Sequence, residues 1–342
     1  MQLLNTLYVT LPESYLHLEN STLRVEVDKE PRLRVPLHHL SAVVCFGHVS
    51  VSSPLMHRLA DDGISLVMLD QHGRFKARLE GAVAGNVLLR QAQHRMAGDG
   101  KFALEIARHC IAGKISNCRQ VLLRGAREAK QADEAALLAR GAADLAAALR
   151  GLTMAADLDT LRGLEGEAAR QYFAALNLLI RADARDQFHM DGRSRRPPRD
   201  CVNALLSFIY SLWMNDCRSA LEAVGLDPQI GFLHAVRPGR AALALDLMEE
   251  FRAFADRLAL SLINRKQISS SGFVERAGGA VLLEGDARKT VLVAYQERKQ
   301  ENLSHPLLNE TVPLGLVPHI QARLMARTLR GDSEQYLPYM VR

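Results

Sequence analysis

The chain has 342 residues, 48% of them hydrophobic, and a formal net charge of +5. That is long enough for two domains, one with a sizeable core, and too apolar for a disordered chain. The mild basic excess permits an acidic partner without demanding one, and the five cysteines (Cys45, Cys110, Cys118, Cys201, Cys217) form no CxxC pair, so neither a zinc knuckle nor a disulfide framework is indicated.

MQLLNTLYVT lacks the basic and apolar regions of a signal peptide, and no apolar run is long enough to span a bilayer, so a cytoplasmic chain with reduced thiols is expected. Up to about residue 85 the pattern is strand-like. TLYVT, YLHLE, LRVEV and LRVPL are punctuated by Pro12, Asn20, Pro31 and Pro36, and Leu23, Val25 and Val27 alternate with Arg24 and Glu26. Such alternation predicts a half-buried antiparallel sheet. A short helix is expected over 54–61, and ISLVMLD reads as a buried strand entering a turn at Gln71, His72 and Gly73. His38, His39, His48, His57 and His72 lack metal-ligand spacing and read as surface or strand-end residues.

Gly85 and Asn86 make a hinge, beyond which the texture is helical over 86–96, 101–123 and 128–149. The expected fold is therefore α+β: a small N-terminal β-rich domain (1–85) followed by a larger all-helical domain (86–342). In LRGLEGEAARQYFAAL, Glu165 sits in a Gly-Leu-Glu-Gly turn just before a helix expected to begin near Glu167. Two readings stand for it: an acid favoured by the helix dipole, or a metal ligand exposed on the turn.

RSRRPPRDCVNALLSFIY places four arginines, Arg193, Arg195, Arg196 and Arg199, in seven residues, with Asp200 capping the next helix. A solvated loop and a phosphate-binding loop are both open; Tyr210 and Trp213 of the helix read as packing. In IGFLHAVRPGRAALALDLMEEFR, His234 precedes a basic loop, Arg237 to Arg240, and then a helix. At 100° per residue Asp246, Glu249 and Glu250 share one side, apart from the stripe of Leu247, Phe251, Phe254 and Leu258. On the helix alone these acids read as a solvated face. With a histidine and arginines beside them, they also suit a divalent cation that works on phosphates. Further on, short apolar segments among glycines suggest small strands, Arg288, Lys289, Arg298 and Lys299 read as a solvated basic face of a helix over 286–301, and a last helix spans 318–330. The tail with Tyr336, Leu337, Pro338 and Tyr339 could dock on a partner or on the body.

In their order, GLEGEAARQYF, RRPPRDCVNALLSFIY and IGFLHAVRPGRAALALDLMEEFR resemble the CRISPR adaptation integrase, the first of the numbered CRISPR-associated proteins, and TLYVTLPESYLHLENSTLRVEV is similar to its I-C type branch. The resemblance implies a metal-dependent DNA endonuclease and integrase that inserts short foreign DNA spacers into a CRISPR array. It implies a homodimer, with the N-terminal sheet domain serving dimerisation, joined by a small ferredoxin-like partner. It assigns Glu165, His234 and Glu249 as catalytic ligands of Mn²⁺ or Mg²⁺, with Asp246 as a supporting carboxylate. Arg193, Arg195, Arg196, Arg199, Arg237 and Arg240 become candidates for DNA phosphate contacts. A general metal-dependent nuclease without joining activity and a non-catalytic DNA-binding scaffold are the alternatives.

Overall fold

Alternation in the N-terminal segment does what a pleated strand requires. In the computed structural model, which describes residues 6–40, 42–70, 75–79, 81 and 87–341, Leu23 and Val25 are buried while their neighbours are not. The segment forms β1 (Thr6–Val9), β2 (Ser14–Glu19), β3 (Thr22–Val27), β4 (Glu30–Pro36), β5 (Ala42–Phe46), β6 (Val49–Val51), α1 (Ser53–Asp61), β7 (Ser65–Leu69) and β8 (Phe75–Leu79). Asp28 and Lys29, with φ of 54° and 65°, close the β3–β4 hairpin through two left-handed residues, the turn that matches strand twist.

Two four-stranded sheets result, in the orders β4-β3-β2-β6 and β1-β5-β7-β8. The expected antiparallel sheet is the meander β2-β3-β4; β6 joins it parallel to β2. In the second sheet β1, β5 and β7 are parallel because each returns only after intervening elements, and AVVCF and SLVML are accordingly buried along most of their length. Leu55 and Leu59 of α1 fill one core with Leu16, Leu23, Val43 and Cys45. The turn at Gln71, His72 and Gly73 and the hinge at Gly85 and Asn86 lie outside the described residues.

The chain then runs through α2 (Val87–Ala97), α3 (Gly100–Glu128), α4 (Ala132–Gly151), α5 (Leu158–Leu176), α6 (Cys201–Ala223), α7 (Ala242–Met248) and α8 (Arg252–Asn264). Hairpin β9 (Phe273–Arg276) and β10 (Ala280–Leu283), helix α9 (Gly285–Gln300), hairpin β11 (Asn302–His305) and β12 (Glu310–Pro313), and α10 (Val317–Arg330) complete it, so the part beyond residue 86 is mostly helical and not all-helical as expected. Residues 1–84, 284–301 and 313–316 form one compact unit, and 85–283, 302–312 and 317–342 the other. The basic face expected on α9 is only partly solvated. Arg288 lies over the Phe46 ring at 5.3 Å, and Lys299 is buried with its ammonium 5.2 Å from the centre of Tyr295. In the second unit, Trp213 of α6 stacks on Phe251 at 5.1 Å, so its role is packing, as the sequence suggests.

Helix α5 starts two and a half turns earlier than expected. Asp157 caps it by accepting from the Thr160 amide, and Leu161, Ala168, Tyr172 and Leu176 bury one face at helical spacing. Glu165 therefore sits within a helix and not on a turn. Gly163 and Gly166 mislead a local reading, since each costs about 1 kcal/mol in a helix interior and packing overrides it. A methyl group at Gly163 would meet nothing within 4 Å. Gly163→Ala should therefore stabilise the protein by about 1 kcal/mol in urea unfolding; a neutral or destabilising result would contradict helix through this position.

Candidate active site

His234 owes its orientation to a carboxylate twelve residues later. Asp246, fully buried on α7, accepts the Phe232 amide at 2.6 Å and the Leu233 amide at 3.0 Å on one oxygen. Its other oxygen accepts the His234 amide at 3.0 Å and meets His234 Nδ1 at 2.7 Å. With Nδ1 held by the carboxylate, Nε2 is the nitrogen left to face a metal or a reacting oxygen. Two more side chains fix this loop. Gln93 of α2 bonds the Asp227 amide and the Asp227 and Ile230 carbonyls, and Arg162 of α5 donates twice to the Leu233 carbonyl, at 2.6 and 3.1 Å.

One turn beyond Arg162, Glu165 faces Lys114 of α3. The Lys114 ammonium bonds Glu165 and also Glu249, the latter at 2.8 Å. Arg252 takes both oxygens of Glu249, at 2.6 and 2.8 Å. Burial opposes the Glu249 charge, but Arg252 and Lys114, with a smaller contribution from His234, hold the carboxyl well below its usual range. Burial likewise opposes the Lys114 ammonium, and Glu249 and Glu165 outweigh it, raising its pKa. Beneath this cluster Asp256 accepts the Tyr210 hydroxyl at 2.5 Å and the Tyr172 hydroxyl at 2.9 Å; burial prevails and lifts its pKa to about 6.

The solvated acidic face is not observed. Asp246, Glu249 and Glu250 are all buried, and they point to three different partners. The cause is local: α7 ends at Met248 and the chain makes a tighter 3-10 turn, Glu249–Phe251, before α8, which breaks the 100° register. Glu250 turns to the C-terminal segment, accepting the Tyr336 hydroxyl, the Tyr339 amide at 2.7 Å and the Gln321 amide group at 2.9 Å. Burial outweighs these donors and pushes Glu250 up to about 8. The tail therefore docks on the body, with Tyr336 and Tyr339 buried.

The two basic loops converge. Partial burial first, then the nearby cations of Arg237, Arg196 and Arg195, pull the Arg240 guanidinium below its ordinary pKa, with Asp246 opposing them. Arg195, Arg196, Arg199 and Arg237 are exposed, and Arg199 reaches the Gly278 carbonyl at 3.4 Å. Arg193 is placed differently from the other five. Its guanidinium bonds Asn203 Oδ1 at 2.6 Å and the Ser207 hydroxyl at 3.1 Å, and lies over the Tyr210 ring, so it braces the loop from inside.

Do these residues suit a divalent cation? In donor type they do: two carboxylates share one cationic partner, beside an imidazole with its second nitrogen fixed. As placed, no three His, Cys, Asp or Glu side chains among the described residues stand close enough to hold a metal, and the ammonium of Lys114 takes the position between Glu165 and Glu249. Lys114, Arg162, Arg252, Gln93 and Asn117 have no place in the reading from sequence. Only Lys114 carried a signal, as a lone charge among Cys110, Ile111, Ile115 and Cys118 on the apolar face of α3.

An α+β architecture with this arrangement of strands and helices is that of solved Cas1 structures. A Cas1 protein from Thermotoga maritima aligns with a TM-score of 0.82 over 98% of each chain at 21% identity, a likeness of fold. A chain of a Cas6-RT-Cas1–Cas2 complex aligns with a TM-score of 0.82 at 26% identity, covering 99% of this chain and 36% of that one. The family model "CRISPR associated protein Cas1" matches residues 7–297, and a CRISPR-associated endonuclease Cas1 from Moorella thermoacetica is 57% identical over 99% of both chains. This chain belongs to the Cas1 family. No described helix is long and apolar enough to cross a membrane.

Proposed function

We propose that this chain is a metal-dependent DNA endonuclease and integrase that inserts short foreign DNA spacers into a CRISPR array. The observation that carries the reading is the convergence of Glu165 and Glu249 on one cationic position, in a site that also holds a carboxylate-oriented imidazole. The endonuclease name of the Moorella relative supports it.

Joining is a transesterification at phosphorus. The oxygen of a DNA 3′-hydroxyl forms a bond to a repeat phosphorus, a bond from that phosphorus to its own 3′ oxygen breaks, and the proton passes from attacking to leaving oxygen. No protein nucleophile is needed, so the chain's residues supply charge and alignment. Glu165, His234 and Glu249 are the proposed ligands of Mn²⁺ or Mg²⁺, which when bound polarises a phosphoryl oxygen and lowers the barrier by several kcal/mol. Asp246 keeps the His234 ring turned with Nε2 outward. Lys114 keeps the two glutamates facing one point, and Arg252 keeps Glu249 ionised. Arg195, Arg196, Arg199, Arg237 and Arg240 are the proposed phosphate contacts, fixing the register of the DNA without reading bases. Arg193 is proposed to support them by bracing their loop.

The chain is further proposed to belong to the I-C type branch, on the likeness of residues 6–27, and to form a homodimer through the N-terminal sheet domain. A partner protein is also proposed: the similar chain of the Cas6-RT-Cas1–Cas2 complex stands in an assembly with Cas2, and the resemblance implies that the partner is small and ferredoxin-like. The proposed site of action is the cytoplasm. The test incubates the protein, with and without that partner, with 3′-hydroxyl duplexes and a repeat-bearing plasmid, in Mn²⁺, Mg²⁺ or chelator. Metal-dependent joined product that disappears in His234→Ala while DNA binding survives is the expected result. Cutting without joining would favour a plain nuclease, and binding alone a scaffold.

A further inference from the structure

The last turn of chain before the C-terminus is built into the site more tightly than a tail needs to be. Asn117, one helical turn beyond Lys114 on α3, donates to the Glu250 carbonyl and to the Tyr339 carbonyl, each at 2.9 Å, and accepts the Val341 amide at 2.8 Å. Glu250 takes the Tyr336 hydroxyl on one oxygen, and the Tyr339 amide and Gln321 on the other. The Tyr339 ring stacks on Phe251 at 6.5 Å and 10°. Gly113 makes room: a methyl group there would sit 3.0 Å from Pro338 and 3.2 Å from Glu250. Every one of these contacts falls on the 3-10 turn that also carries Glu249, or on the stretch of α3 that carries Lys114.

We propose that segment 336–341 is a positioning element of the catalytic centre: it grips the Glu250 carboxylate and the Phe251 ring directly, holds Asn117 on the Glu250 carbonyl, and so fixes the direction in which Glu249 presents its carboxylate. The inference rests on the reading of Glu249 as a metal ligand. The physical reason is that a single 3-10 turn between two helices has few hydrogen bonds of its own to set its orientation, and the Glu250 carbonyl and carboxylate receive four donors from outside it. Side chains that orient ligands are worth about ten- to a hundredfold in metal affinity. Tyr336, Tyr339 and Asn117 touch no reacting atom; they act through Glu249.

The test is Mn²⁺ titration by calorimetry on the full chain, for wild type, Glu249→Gln, Tyr336→Phe, Asn117→Ala and Leu138→Ala. Tyr336→Phe removes one donor and keeps the ring. Leu138→Ala empties a buried position of α4 remote from these contacts and serves as the measure of destabilisation alone. The expected result is Mn²⁺ binding by wild type that Glu249→Gln abolishes, weakening by about tenfold in Tyr336→Phe and more in Asn117→Ala, and little change in Leu138→Ala although its melting temperature falls. If Glu249→Gln abolishes binding while Tyr336→Phe and Asn117→Ala both bind as wild type, the tail has no positioning role. If wild type binds no Mn²⁺, or Glu249→Gln binds equally well, the metal reading fails and this inference with it.

Discussion

Asp246→Ala is expected to cost the protein both metal affinity and stability, the loss of stability being larger than for any other single change considered. Asp246 is fully buried and accepts three backbone amides and the His234 ring. Removing it leaves those donors without an acceptor in a dry environment and releases the loop that carries His234. Breaking a buried charge arrangement costs on the order of 3–5 kcal/mol, and losing the partner of a ligating histidine about ten- to a hundredfold in metal affinity. Asp246→Asn keeps the volume and the acceptor oxygen on one side, so its losses should be smaller in both respects. Urea unfolding and Mn²⁺ titration read the two effects separately. An Asp246→Ala protein that binds Mn²⁺ like wild type would show that His234 does not depend on this carboxylate.

Gly231→Ala should be nearly as damaging, although alanine is the smallest change available. A methyl group there would lie 2.7 Å from the Ala242 carbonyl carbon, 2.8 Å from the Leu243 amide and 2.7 Å from the Asp246 carboxylate. Two of these atoms are backbone at the start of α7, which cannot rotate aside, so the carboxylate or the whole loop must shift. Overpacking of this kind costs about 1–3 kcal/mol. The larger effect falls on function, because the displaced atom is the one that holds the loop before His234. Mn²⁺ affinity and joining should fall together while DNA binding through Arg195 and Arg196, which lie on the other basic loop, changes little. Full activity in Gly231→Ala would mean that the close approach of loop and helix is not needed.

How much of this was legible in the sequence depended on whether the cause was local. Alternation in β3 and the apolar runs of β5 and β7 gave strands, and the switch in texture after residue 86 gave helices, so the α+β architecture follows from pattern alone. Local rules failed where distant packing decides. Gly163 and Gly166 read as a turn around Glu165, yet the burial of Leu161 and Ala168 carries α5 straight through them. The acids of DLMEE read as one face, because nothing in the residues marks the 3-10 turn that separates them. Lys114 lies 51 residues from Glu165 and Asn117 lies 222 from Tyr339, and no spacing rule connects such pairs. Arg193 and Arg195 look alike in RSRRPPR, and only the fold turns the first inward onto Tyr210.

The most direct measurement of the central claim is the Mn²⁺ affinity of wild type, Glu165→Gln, His234→Ala and Glu249→Gln, each alone and in pairs. If the three side chains hold one ion, each single substitution weakens binding by about a hundredfold or more, and a second substitution adds little, because the residues act as a unit. Wild-type affinity in any one of the three would remove that residue from the centre, and additive losses would mean that they do not share a metal.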